Sequence, residues 1–334
     1  MKWQHKPEKN LGSIGAGHSG FFGSGNRLPG FSAGPGRPRP HGIGLAKTFD
    51  NVVGWNLTEG AVRHISIVEL LRPLNCLMAS VGVFVGFSVA NGAMAFTLPL
   101  MLGMISAFLI TGAGNLINDF FDIEIDRKQW SKTPLTRGDI SPIIAFAASM
   151  MLFVAGILVA FFTTQAAFLT AILASLMLIL YSAAMQGHKY IGNVVVAAGT
   201  ALTLIFGAGL VGNYLWASVF AFSAFLANIG REITKDIEDL EKDRGSKRTL
   251  PMLISFAWVS RIVFSVYAVA IIVAGTAWSS GIVGGWLFIV LLMASTITFF
   301  VSWENFTGKN FRDSQKLSKY AMAISLAAFL SVVI

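Results

Sequence analysis

Residues 115–126 read NLINDFFDIEID, and residues 231–243 read REITKDIEDLEKD. Aspartates recur in both segments at positions i, i+3 and i+7, a spacing that on a helix stacks three carboxylates on one face across two turns. These triplets are Asp119, Asp122 and Asp126 in the first segment, and Asp236, Asp239 and Asp243 in the second. Each triplet follows an apolar run and precedes a basic stretch, so the chain is interpreted as two related halves, about 61–185 and 186–334.

The two acidic triplets predict a cation site. Three like charges on one helix face repel each other, and carboxylates near a bilayer are costly unless something offsets them. Oxygen ligands without nearby His or Cys favour Mg²⁺ or Mn²⁺ over zinc, and Mg²⁺ usually combines one or two carboxylates with substrate phosphates. All six aspartates are therefore expected metal ligands around a diphosphate. The alternative is a pair of solvated acidic helix ends, balanced by Arg127, Lys128, Lys242 and Arg244.

The composition is that of a membrane protein. Of the 334 residues, 54% are hydrophobic and 13% are charged, against roughly 25% charged in an ordinary soluble domain. These values exclude a soluble globular enzyme, a disordered protein and a disulfide scaffold. The single cysteine, Cys76, leaves no ligand set for cysteine-bound zinc or iron–sulfur clusters. In a membrane protein the net charge of +8 indicates topology rather than a nucleic-acid partner.

Nine runs are apolar and long enough to cross a bilayer, which takes about 20 residues per helix. They cover residues 74–91, 95–117, 141–162, 166–185, 191–211, 214–230, 251–275, 282–302 and 318–334. We therefore expect an all-α, multi-pass membrane protein with nine transmembrane helices. Small residues inside the runs, among them Gly82, Gly86 and Gly199, favour close contact between helices in lipid.

The placement of charge predicts the orientation. The links after the first, third, fifth and seventh runs contain no Lys, Arg, Asp or Glu, and nearly all charge lies in the N-terminal segment and the other links. By the positive-inside tendency, the N-terminus and both acidic motifs face the cytoplasm, and the C-terminus lies outside. Arg261, ten residues into the seventh run, is the exception and indicates that this run begins later.

The chain divides into two parts of different composition. Residues 1–60 are rich in Gly and Pro and carry a basic excess, which predicts a disordered cytoplasmic tail attracted to anionic headgroups. Residues 61–334 are expected to form the transmembrane domain. Its first segment, residues 61–73, predicts an interfacial helix that leads into the first run. Apolar residues recur there at near-helical spacing, at Val62, Ile65, Val68 and Leu71.

Basic and polar residues at the ends of the runs suit a phosphate-bearing ligand. Arginine presents a fork of donors to phosphate oxygens, whereas lysine acts as a point charge. The expected substrate-binding residues are Arg72, Asn75, Lys132, Arg137, Ser182, Lys189, Asn193 and Lys235. Taken singly, most of the basic residues are better explained as interface anchors beside lipid headgroups than as ligands. Arg72 and Lys189 are the stronger candidates, because each lies at the end of a run beside other polar residues. Tyr181 is interpreted either as a group that positions phosphate or an allylic cation, or as an ordinary interface tyrosine.

These motifs resemble those of the UbiA superfamily of intramembrane prenyltransferases. The family pattern NDxxDxxxD is present at residues 118–126 and DxxDxxxD at residues 236–243, and the likeness covers roughly residues 66–334. Two segments, ELLRPLNCLM at residues 69–78 and the second motif, are most similar to the archaeal ether-lipid branch. One departure lies in the loop after the first motif, where family members often carry a second arginine before the proline and this chain has Lys132.

The resemblance implies nine helices around a central cavity, with cytoplasmic capping loops. It implies a Mg²⁺-dependent transfer of a geranylgeranyl group from geranylgeranyl diphosphate to the sn-2 hydroxyl of a membrane-embedded prenylated glyceryl phosphate. We assign the catalytic role to Asn118, Asp122, Tyr181 and Asp239. The nearest alternative is an aromatic or quinone prenyltransferase, or a haem or chlorophyll prenyl-transfer enzyme, of the same superfamily. An alternative of another class is a divalent-cation transporter, which predicts ionisable residues at mid-membrane.

Overall fold

The computed structural model describes residues 64–184, 189–280 and 285–334, and within these ranges its regular structure is helical. Nine long helices run in chain order: Pro73–Asn91 (α1), Leu98–Lys128 (α2), Pro142–Phe161 (α3), Gln165–Ala184 (α4), Lys189–Gly209 (α5), Leu215–Glu238 (α6), Phe256–Ser279 (α7), Trp286–Thr307 (α8) and Phe311–Leu330 (α9). Shorter helical segments are His64–Leu71, Pro134–Arg137 and Leu240–Asp243, with 3₁₀ turns at Leu250–Met252 and Ser331–Val333. The predicted tail, residues 1–60, lies outside the described residues.

Local sequence explains where several helices begin and end. Proline stands in the first turn of α1, α2 and α3, where its missing N–H and fixed φ cost nothing. The Thr97 side chain accepts a hydrogen bond from the Leu100 N–H and caps α2. Gly92 ends α1 in the left-handed conformation at φ 71°, a conformation that glycine adopts without steric cost.

The predicted spans agree with the long helices in number, but several predicted ends were wrong. Eight of the nine long helices in the described ranges are long and apolar enough to cross a membrane, and α6 is the exception because charged residues fill its last turns. The α2 helix continues from the predicted end at residue 117 to Lys128. Hydropathy marks where a segment leaves the apolar layer, whereas the helix continues as long as its backbone hydrogen bonds continue. Both acidic motifs therefore begin within long helices.

The start of α7 was also predicted too early, as the position of Arg261 indicated. Residues 250–252 form a 3₁₀ turn, and α7 begins only at Phe256. Arg261 thus lies in the second turn of its helix, and its guanidinium stacks over the Trp258 ring at 5.0 Å from the centroid. The predicted interfacial helix is present at His64–Leu71, while residues 61–63 lie outside the described ranges.

Two helices, α1 and α5, pack into both of the main apolar cores. One core is formed by the five helices α1–α5, through side chains such as Val83, Ile117 and Phe153. A second core joins α1 and α5 to α6–α9. The backbones of α1 and α5 touch, since a Cβ added at Gly86 would overlap the Leu204 carbonyl. The prediction that small residues permit close packing is confirmed at this contact.

All the charged motifs gather at one end of the helix bundle, here named the motif end. The last turns of α2 and α6 meet there with the first turns of α1 and α5, as the ion pairs between them show. The links at the opposite end, after α1, α3, α5 and α7, contain no Lys, Arg, Asp or Glu. Large apolar side chains are exposed on the outer helices, for example Met151, Leu173 and Ile297. Such an exterior suits lipid rather than water.

Candidate active site

A cavity of about 650 Å³ lies inside the bundle and reaches the motif end, here called its mouth, where Arg72, Asp122 and Lys189 line it. Eight of the long helices, all except α3, contribute to its wall. Its polar lining includes residues of the first motif, Asn118 and Asp122, and Lys189 from the start of α5. Its deeper wall is largely apolar, with side chains such as Leu178, Val195, Ala227, Ala274, Leu292 and Phe329. The cavity therefore offers a charged mouth and an apolar interior to one ligand.

The first acidic triplet lies on the continuous helix α2, as predicted. Asp122 faces the cavity, and Asn118 Nδ2 donates a hydrogen bond of 3.4 Å to its Oδ2. Asp119 is buried against α1, where its Oδ1 lies 2.6 Å from Arg72 Nη2. Asp126 is partly buried near the end of the helix, outside the cavity lining.

Arg72 connects the first triplet to the start of α1 through an uncommon backbone conformation. It has φ 53° and ψ 66° immediately before Pro73, and a non-glycine residue in the left-handed region stores strain that the surrounding structure must offset. The ion pair between the Arg72 side chain and Asp119 helps to offset this strain. On the backbone side, Asn115 Nδ2 donates to the Leu71 carbonyl at 2.8 Å. These contacts fix the Arg72 guanidinium at the cavity mouth.

The second acidic triplet is organised around one lysine. Lys189 Nζ lies 2.8 Å from Asp243 Oδ2, 3.1 Å from Asp236 Oδ1 and 3.5 Å from Asp239 Oδ2. Asn193, one turn further along α5, donates to Asp236 Oδ2 at 2.7 Å. The three carboxylates thus share a single ammonium from another helix.

The expectation that the second triplet lies on one unbroken helix was wrong. The α6 helix ends at Glu238, Asp239 is its C-terminal cap, and Asp243 lies on the separate short helix Leu240–Asp243. The break leaves the three carboxylates close together because all of them turn towards Lys189. Spacing alone does not reveal this break, since the i, i+3, i+7 pattern carries no signal for the helix end.

Direct contacts join the two acidic triplets. Lys247, which follows the second motif, places its Nζ 2.9 Å from Asp122 Oδ2 of the first. Gln129, which follows the first motif, donates to Asp243 Oδ1 at 3.2 Å and to Ser246 Oγ at 2.6 Å. A narrow polar recess forms where they meet, lined by Asn118, Asp122, Tyr181, Ser182, Lys189 and Lys247.

Most of the predicted binding residues line the cavity. These are Arg72, Asn75, Asn118, Asp122, Tyr181, Ser182, Lys189, Asn193 and Lys235. Lys132 and Arg137 are not brought to it, and of the six expected metal ligands only Asp122 lines it, while Asp119, Asp126, Asp236, Asp239 and Asp243 lie outside the lining. Lys132 is exposed in the loop after the first motif, and Arg137 turns to Glu69 and Asp139 at 2.7 and 2.8 Å. Hydrogen bonds to these two carboxylates raise the pKa of Arg137 above its usual value.

Several cavity residues were not among the predicted ones. Asn115, Arg231 and Glu232 belong to the two quoted segments and line the cavity, so their positions beside the aspartates were the available signal. Lys247 belongs to the basic stretch after the second motif. Lys319 also lines the cavity, but it is an isolated lysine in the last helix and no pattern in the sequence distinguishes it.

The donor set at the mouth fits Mg²⁺. Within the described ranges, no three acidic, histidine or cysteine side chains converge closely enough to hold a metal ion by themselves. Mg²⁺ does not need such a group, because it usually takes one or two carboxylates and completes its shell with water and phosphate oxygens. Asp236 Oδ1 is buried and, within the described chain, accepts no hydrogen bond of good geometry although Lys189 Nζ is 3.1 Å away. A buried carboxylate oxygen with an unused lone pair suits a hard cation.

Residues 79–330 match the family model of the UbiA prenyltransferase family. Digeranylgeranylglyceryl phosphate synthase of Thermococcus sibiricus is similar to this chain, with 35% identity over 266 residues that cover 79% of this chain and 95% of that protein. The protein of the same name from Pyrococcus horikoshii is 35% identical over 271 residues, which cover 79% of this chain and 96% of that protein.

Solved structures share the fold. A structure of digeranylgeranylglyceryl phosphate synthase aligns with a TM-score of 0.69 and 27% identity, covering 81% of this chain and 98% of that one. A UbiA homologue from Archaeoglobus fulgidus, solved with GPP and Mg²⁺ bound, aligns with a TM-score of 0.59 and 20% identity. That alignment covers 79% of this chain and 99% of the other, and it shows a common fold.

Proposed function

The chain belongs to the UbiA prenyltransferase family, and from that premise we propose that it transfers a geranylgeranyl group from geranylgeranyl diphosphate to the sn-2 hydroxyl of geranylgeranylglyceryl phosphate. The product is a glyceryl phosphate with two ether-linked prenyl chains. The enzyme is a membrane-embedded prenyltransferase. Its similarity to digeranylgeranylglyceryl phosphate synthases over most of their length supports this acceptor over an aromatic one.

One observation in the structure carries the proposal. Two aspartate motifs from distant parts of the chain adjoin at the mouth of one cavity, linked by the contact of Lys247 with Asp122. Beyond the mouth the wall is largely apolar. An ionic mouth on an apolar cavity matches a ligand with a charged head and a long isoprenoid tail.

The diphosphate is assigned to the mouth. Asp122 on α2, Asp236 on α6 and Asp239 at the C-terminal cap of α6 would hold Mg²⁺, with Asp119, Asp126 and Asp243 as the remaining members of the expected ligand set. Asn118 would assist through its hydrogen bond to Asp122. When bound, Mg²⁺ supplies Lewis acidity that stabilises negative charge on the departing diphosphate. Arg72, Lys189 and Lys247 already lie at the mouth. Each can contact phosphate oxygens once its aspartate partner turns to the metal.

The chemistry follows from this placement. The bond between C1 of the prenyl chain and the diphosphate oxygen breaks, and the electron pair leaves with the diphosphate. A new bond forms between C1 and the acceptor hydroxyl oxygen, whose proton passes to a motif carboxylate or to the departing diphosphate. The largely apolar wall excludes water from the allylic cation. Tyr181 lies beside Asn118 and Asp122, where its ring face can stabilise that cation and its hydroxyl can orient the diphosphate.

The acceptor is tested by turnover of the purified full chain in detergent with radiolabelled geranylgeranyl diphosphate. The panel contains geranylgeranylglyceryl phosphate, 4-hydroxybenzoate and dihydroxynaphthoate, each with Mg²⁺ and each with EDTA. We expect transfer to the glyceryl phosphate alone, and we expect EDTA to remove it. Transfer to an aromatic compound instead would leave the family intact and refute the acceptor. No Mg²⁺-dependent transfer to any acceptor would refute the proposed activity.

A further inference from the structure

The charged residues in and around the cavity form two groups whose net charges have opposite sign. Arg72, Lys189 and Lys247 form ion pairs with motif aspartates. Three other cations line the same cavity: Arg231, Lys235 and Lys319. Within the described chain none of these three has an ion pair with a motif aspartate. Apart from the motif residue Asp122, the one carboxylate in the described cavity lining is Glu232. The second group is here named the basic wall.

The Arg231 side chain is restrained by two neighbours within the protein. Its Nε donates to Asn228 Oδ1 at 2.9 Å, and its Nη2 contacts Glu232 Oε1. Asn228 is itself fixed, because its Nδ2 donates to Thr200 Oγ1 at 2.7 Å. In the described structure Nη1 makes no hydrogen bond, so one edge of the guanidinium remains for an incoming acceptor. Such a fork, restrained on two sides, is well suited to phosphate oxygens.

The backbone beside Arg231 is fixed by an aromatic ring. A Cβ added at Gly230 would overlap the ring of Tyr267, so the ring packs directly on the α6 backbone. Tyr267 is fully enclosed between α6 and the helices α7 and α8, stacked on Phe299 at 4.5 Å between ring centroids. The turn of α6 that carries Arg231 therefore has little freedom to move.

Lys319 approaches the cavity from α9, which packs against α6. Lys319, Met322, Ala323, Leu326 and Phe329 all line the cavity, and their spacing places them on one face of α9. Lys319 is the first of them from the motif end, so its ammonium lies above an apolar stripe. Lys316, one turn earlier, instead pairs with Asp313 at 3.5 Å and does not line the cavity.

From this arrangement we infer that the basic wall binds the phosphomonoester of the acceptor lipid, at a site separate from the diphosphate. The inference rests on the proposed function. Three cations and one carboxylate give the basic wall a net charge of +2, which matches a phosphate monoester at about −1.5 to −2. The motif aspartates and their three cation partners are instead net negative, and a diphosphate joins them only together with metal ions.

The division of charge gives the two substrates different requirements for metal. The acceptor phosphate binds to the basic wall without Mg²⁺, because its partners are side chains of the protein. The prenyl diphosphate needs Mg²⁺ to approach the carboxylates. The apolar stripe of α9 below Lys319 then receives the prenyl chain of the acceptor.

The test measures binding of geranylgeranylglyceryl phosphate to the full chain in detergent with EDTA, beside neutral geranylgeranylglycerol. We expect the phosphate compound to bind at least tenfold more tightly to the wild type. Lys319→Gln should raise its Kd about tenfold and raise its KM in turnover, with the KM for geranylgeranyl diphosphate unchanged. Lys316→Gln is the matched control on the same helix, and it should leave both values at the wild-type level.

Arg231→Gln leaves Glu232 buried without its cation, so the double variant Arg231→Gln with Glu232→Gln is measured beside it. Both should lose affinity for the phosphate compound, and Arg231→Lys should restore part of it. The inference is overturned if Lys319→Gln and the folded Arg231 variant keep the wild-type Kd, or if binding of the acceptor phosphate requires Mg²⁺. If the wild type transfers the prenyl group to geranylgeranylglyceryl phosphate while the variants keep the wild-type Kd for it, the role of the basic wall is refuted and the proposed function stands. A wild type that binds neither compound and transfers to neither would refute both.

Discussion

Within the described residues, five of the six motif aspartates have an ion pair with a cation of the chain itself. Asp119 pairs with Arg72, Asp122 pairs with Lys247, and the three aspartates of the second motif share Lys189. These cations offset the negative charge of the aspartates, which would cost too much free energy if it were partly buried without a partner. The same cations lie where phosphate oxygens would enter. At the scale of single residues, the site without substrate is therefore stabilised by groups that also suit the substrate.

Substitution of a motif aspartate tests this arrangement. Asp122→Asn or Asp239→Asn removes an expected Mg²⁺ ligand while keeping the size of the side chain. We expect kcat to fall about 100-fold or more, with the melting temperature in detergent within about 5 °C of the wild type. Asp313→Asn, an exposed acid at the start of α9, is the control and should retain full activity. Wild-type Mg²⁺-dependent activity in both motif variants would contradict the assignment.

Residue types at the site were predictable to different degrees. The aspartates, Arg72 and Lys189 stood in or beside recognisable patterns, and all of them lie at the motif end. Lys132 was assigned as the counterpart of the arginine that related sequences carry in this loop, but Arg137 of the short helix Pro134–Arg137 pairs with Glu69, and the loop does not line the cavity. Lys319 escaped notice because a cavity wall is a property of packed helices, and a single lysine in an apolar run does not reveal which face it occupies.

The pairing of α1 with α5 holds the two main cores together. Gly86 lies against the Leu204 carbonyl, and Gly207 lies against the Val83 carbonyl, so neither position has room for a Cβ. Both helices also line the cavity. A change at this contact should therefore alter the stability of the bundle and the width of the cavity together.

The glycine contact has a matched control within the chain. Gly86→Ala forces the two backbones apart, and we expect a loss of about 2 kcal/mol of stability. Gly275→Ala, in α7, meets no atom closer than 4.0 Å and should change stability by less than about 1 kcal/mol, in the favourable direction. Thermal unfolding in detergent measures both variants. Equal melting temperatures for the two would show that the close contact does not limit helix packing.

The predictability of whole helices follows from the physics of the bilayer. Apolar runs predicted all nine long helices, because a segment that crosses lipid must satisfy its backbone hydrogen bonds internally. Their ends were predicted less well, since α2 and α6 extend into charged sequence where hydropathy falls but the helix continues. The break at Asp239 depends on contacts with Lys189 from a distant helix, which local sequence does not encode.

At the scale of the whole molecule, the charged motifs of the described residues lie at one end of the bundle. The motif end carries both acidic triplets, and the opposite links carry no Lys, Arg, Asp or Glu. A divalent-cation transporter needs ionisable groups along a path through the membrane, whereas the described cavity has an apolar deeper wall. The distribution instead suits an enzyme that takes a charged head at one surface and holds the prenyl chain in its apolar cavity.

The expected orientation can be measured with the single native cysteine as background. Cys76 is buried and should not react in the folded protein. We expect Ala93→Cys, at the opposite end, to be labelled in intact cells by a membrane-impermeant maleimide. Lys316→Cys, at the motif end, should be labelled only after permeabilisation, because basic residues remain in the cytoplasm. The reverse pattern would place the active site outside the cell.

The proposed activity depends on metal ions that hold the prenyl diphosphate between the two acidic motifs. It is tested most directly by crystals of the full chain grown with Mn²⁺ and a non-cleavable thiol analogue of geranylgeranyl diphosphate, with the anomalous signal of manganese recorded. We predict Mn²⁺ peaks between the diphosphate and both Asp122 of the first motif and Asp239 of the second, with the prenyl chain in the apolar cavity. A bound diphosphate analogue with manganese absent from both motifs, or with manganese at one motif alone and the diphosphate elsewhere, would contradict it.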